Sequence, residues 1–305
     1  MAHEWSGMVR ELVEQGVDVF HCTKNIGVPV TRAIPVVTTI QDVIPLSLRD
    51  SYSPTNLQNA FYRFNLLQAL SISSALITIS AFSRDEILRY FPACRHKLHC
   101  VPLGCDPDFA QGMTPAQARN IMLGLGVDRP YVMTMGGAEP RKNVAMLLNL
   151  FSQAGQTLGR DLVLVGGSWR GQALLTTERP AECVHVLQNL SEYELVAAYT
   201  AAEVFVFPSL YEGFGLPILE AMACGVPVLA HNGSSIPELA QDAAMLVDMR
   251  DSKVCYQGLK RLLKEESLRT DLVAAGKERL KCFSWNYTAA RTVEIYQHVA
   301  SRRRV

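Results

Sequence analysis

The sequence has no CxxC pair, no histidine or cysteine cluster at metal-ligand spacing, no surplus of either charge and no clean apolar run of membrane-spanning length. Each absence removes a class. Lysine plus arginine and aspartate plus glutamate balance at 29 each, so nothing in the overall charge calls for nucleic acid or an acidic partner. The eight cysteines are scattered, in a chain without a signal-peptide pattern, and read as reduced thiols of a cytoplasmic protein. The most apolar stretch, Leu66 to Phe82, is broken by Gln68, Ser71, Ser73 and Ser74 and is a poor membrane span. Repeats and low-complexity tracts are absent, which excludes solenoids and disordered arrays. Neither half carries GxGxxG after a strand, which disfavours a nicotinamide-dependent oxidoreductase. The one local charge bias, Arg302-Arg303-Arg304, reads as a solvated tail or as a weak peripheral contact with an anionic membrane.

What is present is alternation. Over 305 residues, 49% of them hydrophobic, short β-branched runs alternate with segments of helical period, which predicts an α/β protein of parallel sheets covered by helices. The length suits two doubly wound domains. In the first half the strand candidates are Asp18 to Cys22, Pro35 to Ile40, Ala75 to Ser80 and Leu98 to Leu103, with an amphipathic helix over Leu57 to Ser71. SRDEILRYF predicts a helix capped at Ser83, with Asp85 and Glu86 in its first turn. Turn formers from Gly104 to Pro115 mark a linker, so the domains are expected at 1–110 and 111–285, with 286–305 returning to the first. In the second half the strands are Tyr131 to Met135, Asp161 to Val165, Val184 to Leu187 and Val204 to Phe207. A helix covers Asn143 to Ala154, and Ser191 with Glu194 forms a capping box.

Chemistry concentrates in PSLYEGFGLPILEAMACGVPVLA, residues 208 to 230. A strand ends there, the chain turns through Gly213, Phe214 and Gly215, and Leu216-Pro217 opens a short helix that Gly225 and Pro227 stop. Uncovered amides and the positive end of the helix dipole favour an anion such as a phosphate at that turn. Glu220, about one turn inside the helix, can accept two hydrogen bonds from the vicinal hydroxyls of a ribose. Glu212, before the turn, lies on the side where a sugar attached to the phosphate would project. The alternative is a surface loop carboxylate and an exposed helix carboxylate, but strand, glycine and proline positions all agree with the site.

A second segment, TMGGAEPRKN, points to the same anion. Arg141 and Lys142 follow a strand and the pair Gly136-Gly137, just before a helix whose dipole disfavours positive charge by roughly 0.3–1 kcal/mol. A phosphate between them would reverse that sign.

Taken in order, TIQDVIPL, ALITISAFSRDEI, VPLGCDPDF, GGAEPRKN, LVLVGG and the E-x7-E element from Glu212 to Glu220 resemble the family 4 retaining glycosyltransferases of the GT-B architecture, in the EPRKN form found in mannosyltransferases. The resemblance covers almost the whole chain, and E-x7-E is its most specific part. It implies two Rossmann-like domains with a cleft between them, the second holding a nucleoside diphosphate sugar, GDP-mannose or a UDP-hexose. The hexose would pass to a glycan or lipid-linked acceptor with retained anomeric configuration and without a bound metal or other cofactor. Carried onto matching positions, Arg141 and Lys142 neutralise the diphosphate together with the Gly136-Gly137 turn and the amides of Gly213, Phe214, Gly215 and Leu216. Glu220 binds the ribose and Glu212 the donor sugar. FSWNYTAARTVEIYQHVA resembles the terminal helix that crosses back to the first domain.

Two departures follow from the same comparison. The family has histidine where this chain has Gln41, beside Asp42, so binding from the acceptor side survives there without acid–base help. His21 is a second acceptor-side candidate, with a structural histidine at a strand end as the alternative. The family's first three strands also have no counterpart before Asp18, so an apolar edge is expected to be covered by a second copy or a complementing subunit. A non-catalytic nucleotide-sugar-binding subunit is accordingly the alternative function. Placing phosphate and sugar as above predicts that Lys142→Ala weakens nucleoside diphosphate affinity in calorimetric titration. Glu212→Ala abolishes transfer but leaves that affinity nearly intact, and equal losses in both would mean the placement is wrong.

Overall fold

Side chains of a buried parallel sheet alternate between two covered faces, and the strands follow that rule. In the computed structural model, which describes residues 2–24, 26–48, 56–110, 112–166 and 183–302, the chain divides into two units. One comprises Met1–Gly104 with Trp285–Val305 and the other Cys105–Ser284.

The first unit holds β1 (Phe20–Cys22), β2 (Val36–Thr39), β3 (Ala75–Thr78) and β4 (Leu98–Cys100), all parallel and in the order β1-β2-β3-β4. As the sequence predicts, β1 lies at an edge of this sheet: among the described residues every crossover steps the same way, and no strand pairs with β1's outer edge. Val36 packs with Ala69 and Leu76 with Leu66 and Leu70, on the face covered by the helix Asn56–Ile72. Their neighbours Val37, Ala75 and Ile77 point the other way and pack with Ile295 and Val299 of the helix Trp285–Ser301. The last helix of the described chain therefore covers one face of its first sheet.

The expected cap at Ser83 is also corrected. The helix runs Ala81–Tyr90 and its N-cap is Ser80, whose side chain accepts from the Ser83 amide at 2.9 Å. Ser80 has the extended backbone a cap requires, while Ser83 is helical and buried, so Asp85 and Glu86 fall beyond the first turn. The Leu66 to Phe82 stretch divides between helix, loop and β3. No helix among the described residues is long and apolar enough to cross a membrane.

The second unit holds β5 (Tyr131–Met135), β6 (Asp161–Val165), β7 (Val184–Leu187), β8 (Val204–Phe207), β9 (Val228–His231) and β10 (Met245–Val247). All six are parallel, in the order β10-β9-β8-β5-β6-β7. The winding reverses between β5 and β8. In β8, Val204 and Val206 join a core with Leu147, Leu229 and Leu259, and on the other face Phe205 packs against Tyr199 with rings 5.2 Å apart. The Ser191 capping box forms, with Ser191 Oγ receiving the Glu194 amide and Glu194 reaching back to the Ser191 amide at 2.8 Å. None of the eight cysteines is in a disulfide.

Ile295 is 6% exposed. Ile295→Ala is expected to lower the stability of the first unit by about 2–5 kcal/mol in urea titration, as for a buried large-to-small change. A loss below about 0.5 kcal/mol, the size of a surface effect, would mean that the terminal helix does not close this core.

Candidate active site

Where an open parallel sheet reverses its winding, the loops leaving the carboxyl ends of the two central strands part and leave a crevice. Here those loops follow β5 and β8. The first carries Gly136 to Asn143 and the second Pro208 to Gly215, so both sequence motifs leave neighbouring strands.

Several bonds tie the loops together. After β5 the chain makes a single 3-10 turn, Pro140–Lys142, closed by Asn143 in the left-handed region at φ 52°. Asparagine tolerates that region, and its side chain donates to the Met249 carbonyl at 2.8 Å. The turn points the Arg141 carbonyl at the second loop, where it accepts from the Leu210 amide at 2.8 Å. It also points both cationic side chains at Glu212. Lys142 Nζ donates to Glu212 Oε1 at 2.6 Å and Arg141 Nη1 to Oε2 at 2.9 Å. Ser209 Oγ donates to Oε1 at 2.6 Å, and Arg141 Nη1 also reaches the Tyr211 carbonyl at 3.1 Å.

These charges are largely out of water. The side chains of Arg141, Lys142 and Glu212 are 12%, 20% and 11% exposed. Two cations face one buried carboxylate, and Glu139, half-exposed, lies 2.8 Å from Arg141 Nη2. Arg141 Nε is buried and has no hydrogen-bond partner. Lys142 Nζ lies 5.8 Å from the centre of the Phe207 ring. One of the two carboxylates is thus half-exposed to water, so the buried part of the cluster is net positive and keeps an unused donor, as a site for an anion requires.

The second loop is fixed by serines after β9. The Ser234 hydroxyl accepts from the Glu212 amide at 3.2 Å, and the Ser235 hydroxyl sits 2.9 Å and 2.7 Å from the carbonyls of Glu212 and Phe214. Phe214 is buried edge-on against Phe283. Gly215, the N-cap of the helix Leu216–Ala223, has φ 121°, and a Cβ there would lie 3.1 Å from Leu239 Cδ2, so the turn demands glycine. The amides of Phe214, Gly215 and Leu216 find no acceptor among the described residues. Gly136 donates its amide to Val165, and a Cβ on it would meet Val144 at 3.1 Å, whereas a Cβ on Gly137 would meet nothing within 4 Å.

Glu220 lies one turn into that helix and accepts from the Tyr199 hydroxyl at 2.8 Å. Burial raises its pKa, the Tyr199 bond opposes the rise, and Asp106 adds to it. The neighbouring thiols follow the same burial, with Cys105 pushed up to about 11 and Cys224 to about 12.

The acceptor-side candidates belong to the first unit. Gln41 and Asp42 follow β2 at its carboxyl end, with the Gln41 side chain exposed and Asp42 Oδ1 accepting from the Ile44 amide at 3.0 Å. His21 is engaged on both ring nitrogens, Nδ1 with the Tyr296 hydroxyl at 2.6 Å and Nε2 with Thr39 Oγ1 at 2.8 Å. That environment fits its structural alternative, a pin between β1, β2 and the terminal helix. Gly167 of LVLVGG lies outside the described residues. Among the described residues no group of three or more His, Cys, Asp or Glu could hold a metal ion.

Sequence reasoning missed Ser209, Ser235 and Tyr199. The first two had a signal, being small polar residues just past strands that border the crevice. Tyr199, one of two tyrosines in the helix Glu192–Thr200, had none pointing to Glu220.

A sequence model of the family described as glycosyl transferases group 1 matches residues 122–279. The O-antigen chain mannosyltransferase B of Escherichia coli is 29% identical over 268 residues, 86% of this chain and 70% of that protein. The MMP alpha-(1->4)-mannosyltransferase of Mycolicibacterium hassiacum is 32% identical over 235 residues, 74% of this chain and 54% of that protein. Among solved structures, a sucrose-phosphate synthase from Thermosynechococcus elongatus superposes with a TM-score of 0.78 at 21% identity, over 98% of this chain and 77% of that one. The shared fold is GT-B.

Removing one partner of a buried ion cluster strands the rest. Glu212→Ala is expected to destabilise the second unit by about 3–5 kcal/mol in urea titration, with pyrophosphate recovering part of the loss by pairing with the freed cations. A variant as stable as the parent would mean that the cluster does not hold the two loops together.

Proposed function

The chain belongs to the group 1 glycosyl transferase family, and from that premise we propose that it moves a hexose of the mannose type from a nucleoside diphosphate donor to a glycan or lipid-linked acceptor, with retained configuration. The observation that carries the reading is the paired cations Arg141 and Lys142 beside the open amides of Phe214, Gly215 and Leu216, at the point where the second sheet reverses its winding. A diphosphate there neutralises the surplus charge and takes the unused donors. The mannose preference is supported by the two mannosyltransferase relatives and by the EPRKN form.

In this reading the bond from the sugar's anomeric carbon to the diphosphate breaks and a bond to the acceptor oxygen forms on the same face. The acceptor's proton passes to the departing phosphate oxygen. Arg141 and Lys142 stabilise the charge that develops on that leaving group. Glu212 already accepts three hydrogen bonds from Arg141, Lys142 and Ser209, which leaves about one of a carboxylate's four acceptor sites for a sugar hydroxyl. It therefore holds the cations in place as well as touching the sugar. Glu220 takes the ribose hydroxyls, with Tyr199 fixing its free oxygen.

A second reading, nucleotide-sugar binding without transfer, draws on β1, whose outer edge has no pairing strand among the described residues. Donor turnover with GDP-mannose and mixed acceptors, run beside calorimetric titration with GDP, UDP and ADP, separates the two. Tight diphosphate binding without turnover favours the second, and absence of any diphosphate binding overturns both.

The raised pKa of Glu220 adds a test. Its ionised form is the one that accepts from a diol. Diphosphate affinity should therefore fall on acidification, beginning above the usual glutamate range, and Glu220→Gln should flatten that dependence. An unchanged pH profile in the variant would remove Glu220 from the ribose site.

A further inference from the structure

At the opposite end of the first sheet from Gln41 and Asp42, the amino ends of β2, β3 and β4 border a cavity of about 490 Å³. Its fourteen lining residues include Arg32, His96, Lys97, His99, His298 and Arg302, and none is acidic. In a chain whose charges balance, six basic groups around one concavity are a marked departure. They come from four separate places: the segment before β2, the turn before β4, β4 itself and the end of the terminal helix.

Local structure accounts for only part of this. A helix carboxyl end attracts His298 and Arg302. The carboxyl end of the short 3-10 helix Pro92–Lys97 does the same for His96 and Lys97, but no helix end accounts for Arg32 or His99. None of the six pairs with a carboxylate among the described residues. Lys97 Nζ instead donates to the Ser73 carbonyl at 2.8 Å, which holds the ammonium at the cavity wall. Burial lowers the pKa of both Lys97 and His99, and the charges of His298 across the cavity and of Arg291 outside its lining lower His99 further. Thr31 and Ser74 add polar lining between them.

We propose that this cavity binds a phosphate-type anion of two or more charges, clamped between Arg32 and Arg302 at its mouth and Lys97 at its wall. Such an anion relieves the mutual repulsion and takes the donors that carboxylates elsewhere in the chain would occupy. The phosphate can belong to a soluble polyphosphate or to the headgroup of an acidic lipid. The site is separate from the diphosphate site of the second unit.

The ring C–H proton resonances of the histidines report on binding, because His96, His99 and His298 line the cavity. Pyrophosphate titration at low salt should shift all three saturably, with His185 of the second unit as reference. Flotation with vesicles of phosphatidylcholine with and without phosphatidic acid, whose phosphomonoester can carry two charges, is the second arm. The double variant Arg32→Glu/Arg302→Glu changes two exposed side chains and should weaken whichever binding occurs by about 10-fold or more, as expected for lost charge-assisted hydrogen bonds. Its GDP or UDP affinity should stay at the parent's value. Response to pyrophosphate alone identifies a soluble ligand, and response to acidic vesicles alone a headgroup. If pyrophosphate leaves the three resonances unmoved and the protein does not float with the acidic vesicles, or the double variant binds as tightly as the parent, the proposal is overturned.

Discussion

One buried carboxylate organises the second unit's crevice. Glu212 receives Lys142, Arg141 and Ser209, and its main-chain amide and carbonyl are held by Ser234 and Ser235. Loops that leave β5, β8 and β9 are thereby fixed to a single side chain. Desolvating these charges is costly and their mutual attraction only partly repays it, so the cluster is poor as a device for stability alone. Its effect is positional. It keeps two cations side by side, with one more positive charge than the buried carboxylate cancels.

The fold was legible because its strands are short, apolar and evenly interrupted. β5, β6, β7 and β8 begin and end where the β-branched runs do, and the Ser191 box is a purely local signal. The helix beginning at Ala81 was harder: Ser80 and Ser83 both suit a cap, and the choice depends on where the strand releases the chain. The strand order of the second sheet was not legible from the strands alone. It is a matter of which strands lie beside each other, and residue patterns along one strand carry nothing about that.

The site divides the same way. Glycine, proline and carboxylate positions around residue 215 are tied to the turn they make, so the turn could be read directly. That Glu212 would itself neutralise Arg141 and Lys142 could not, because the contact spans some seventy positions of sequence and depends on β5 lying beside β8. Tyr199 meets Glu220 for a similarly remote reason. His21 shows the converse: its residue type suggested chemistry, while Tyr296 and Thr39 occupy both its ring nitrogens.

The helix Trp285–Ser301 also bears on how the chain is made. Val37 and Ile77 leave the ribosome early, and their cover, Ile295 and Val299, follows only after the whole second unit has been synthesised. The unit that is translated first is thus completed last, and its nascent sheet must carry a bare apolar face through most of synthesis, at the stage when exposed strands invite aggregation.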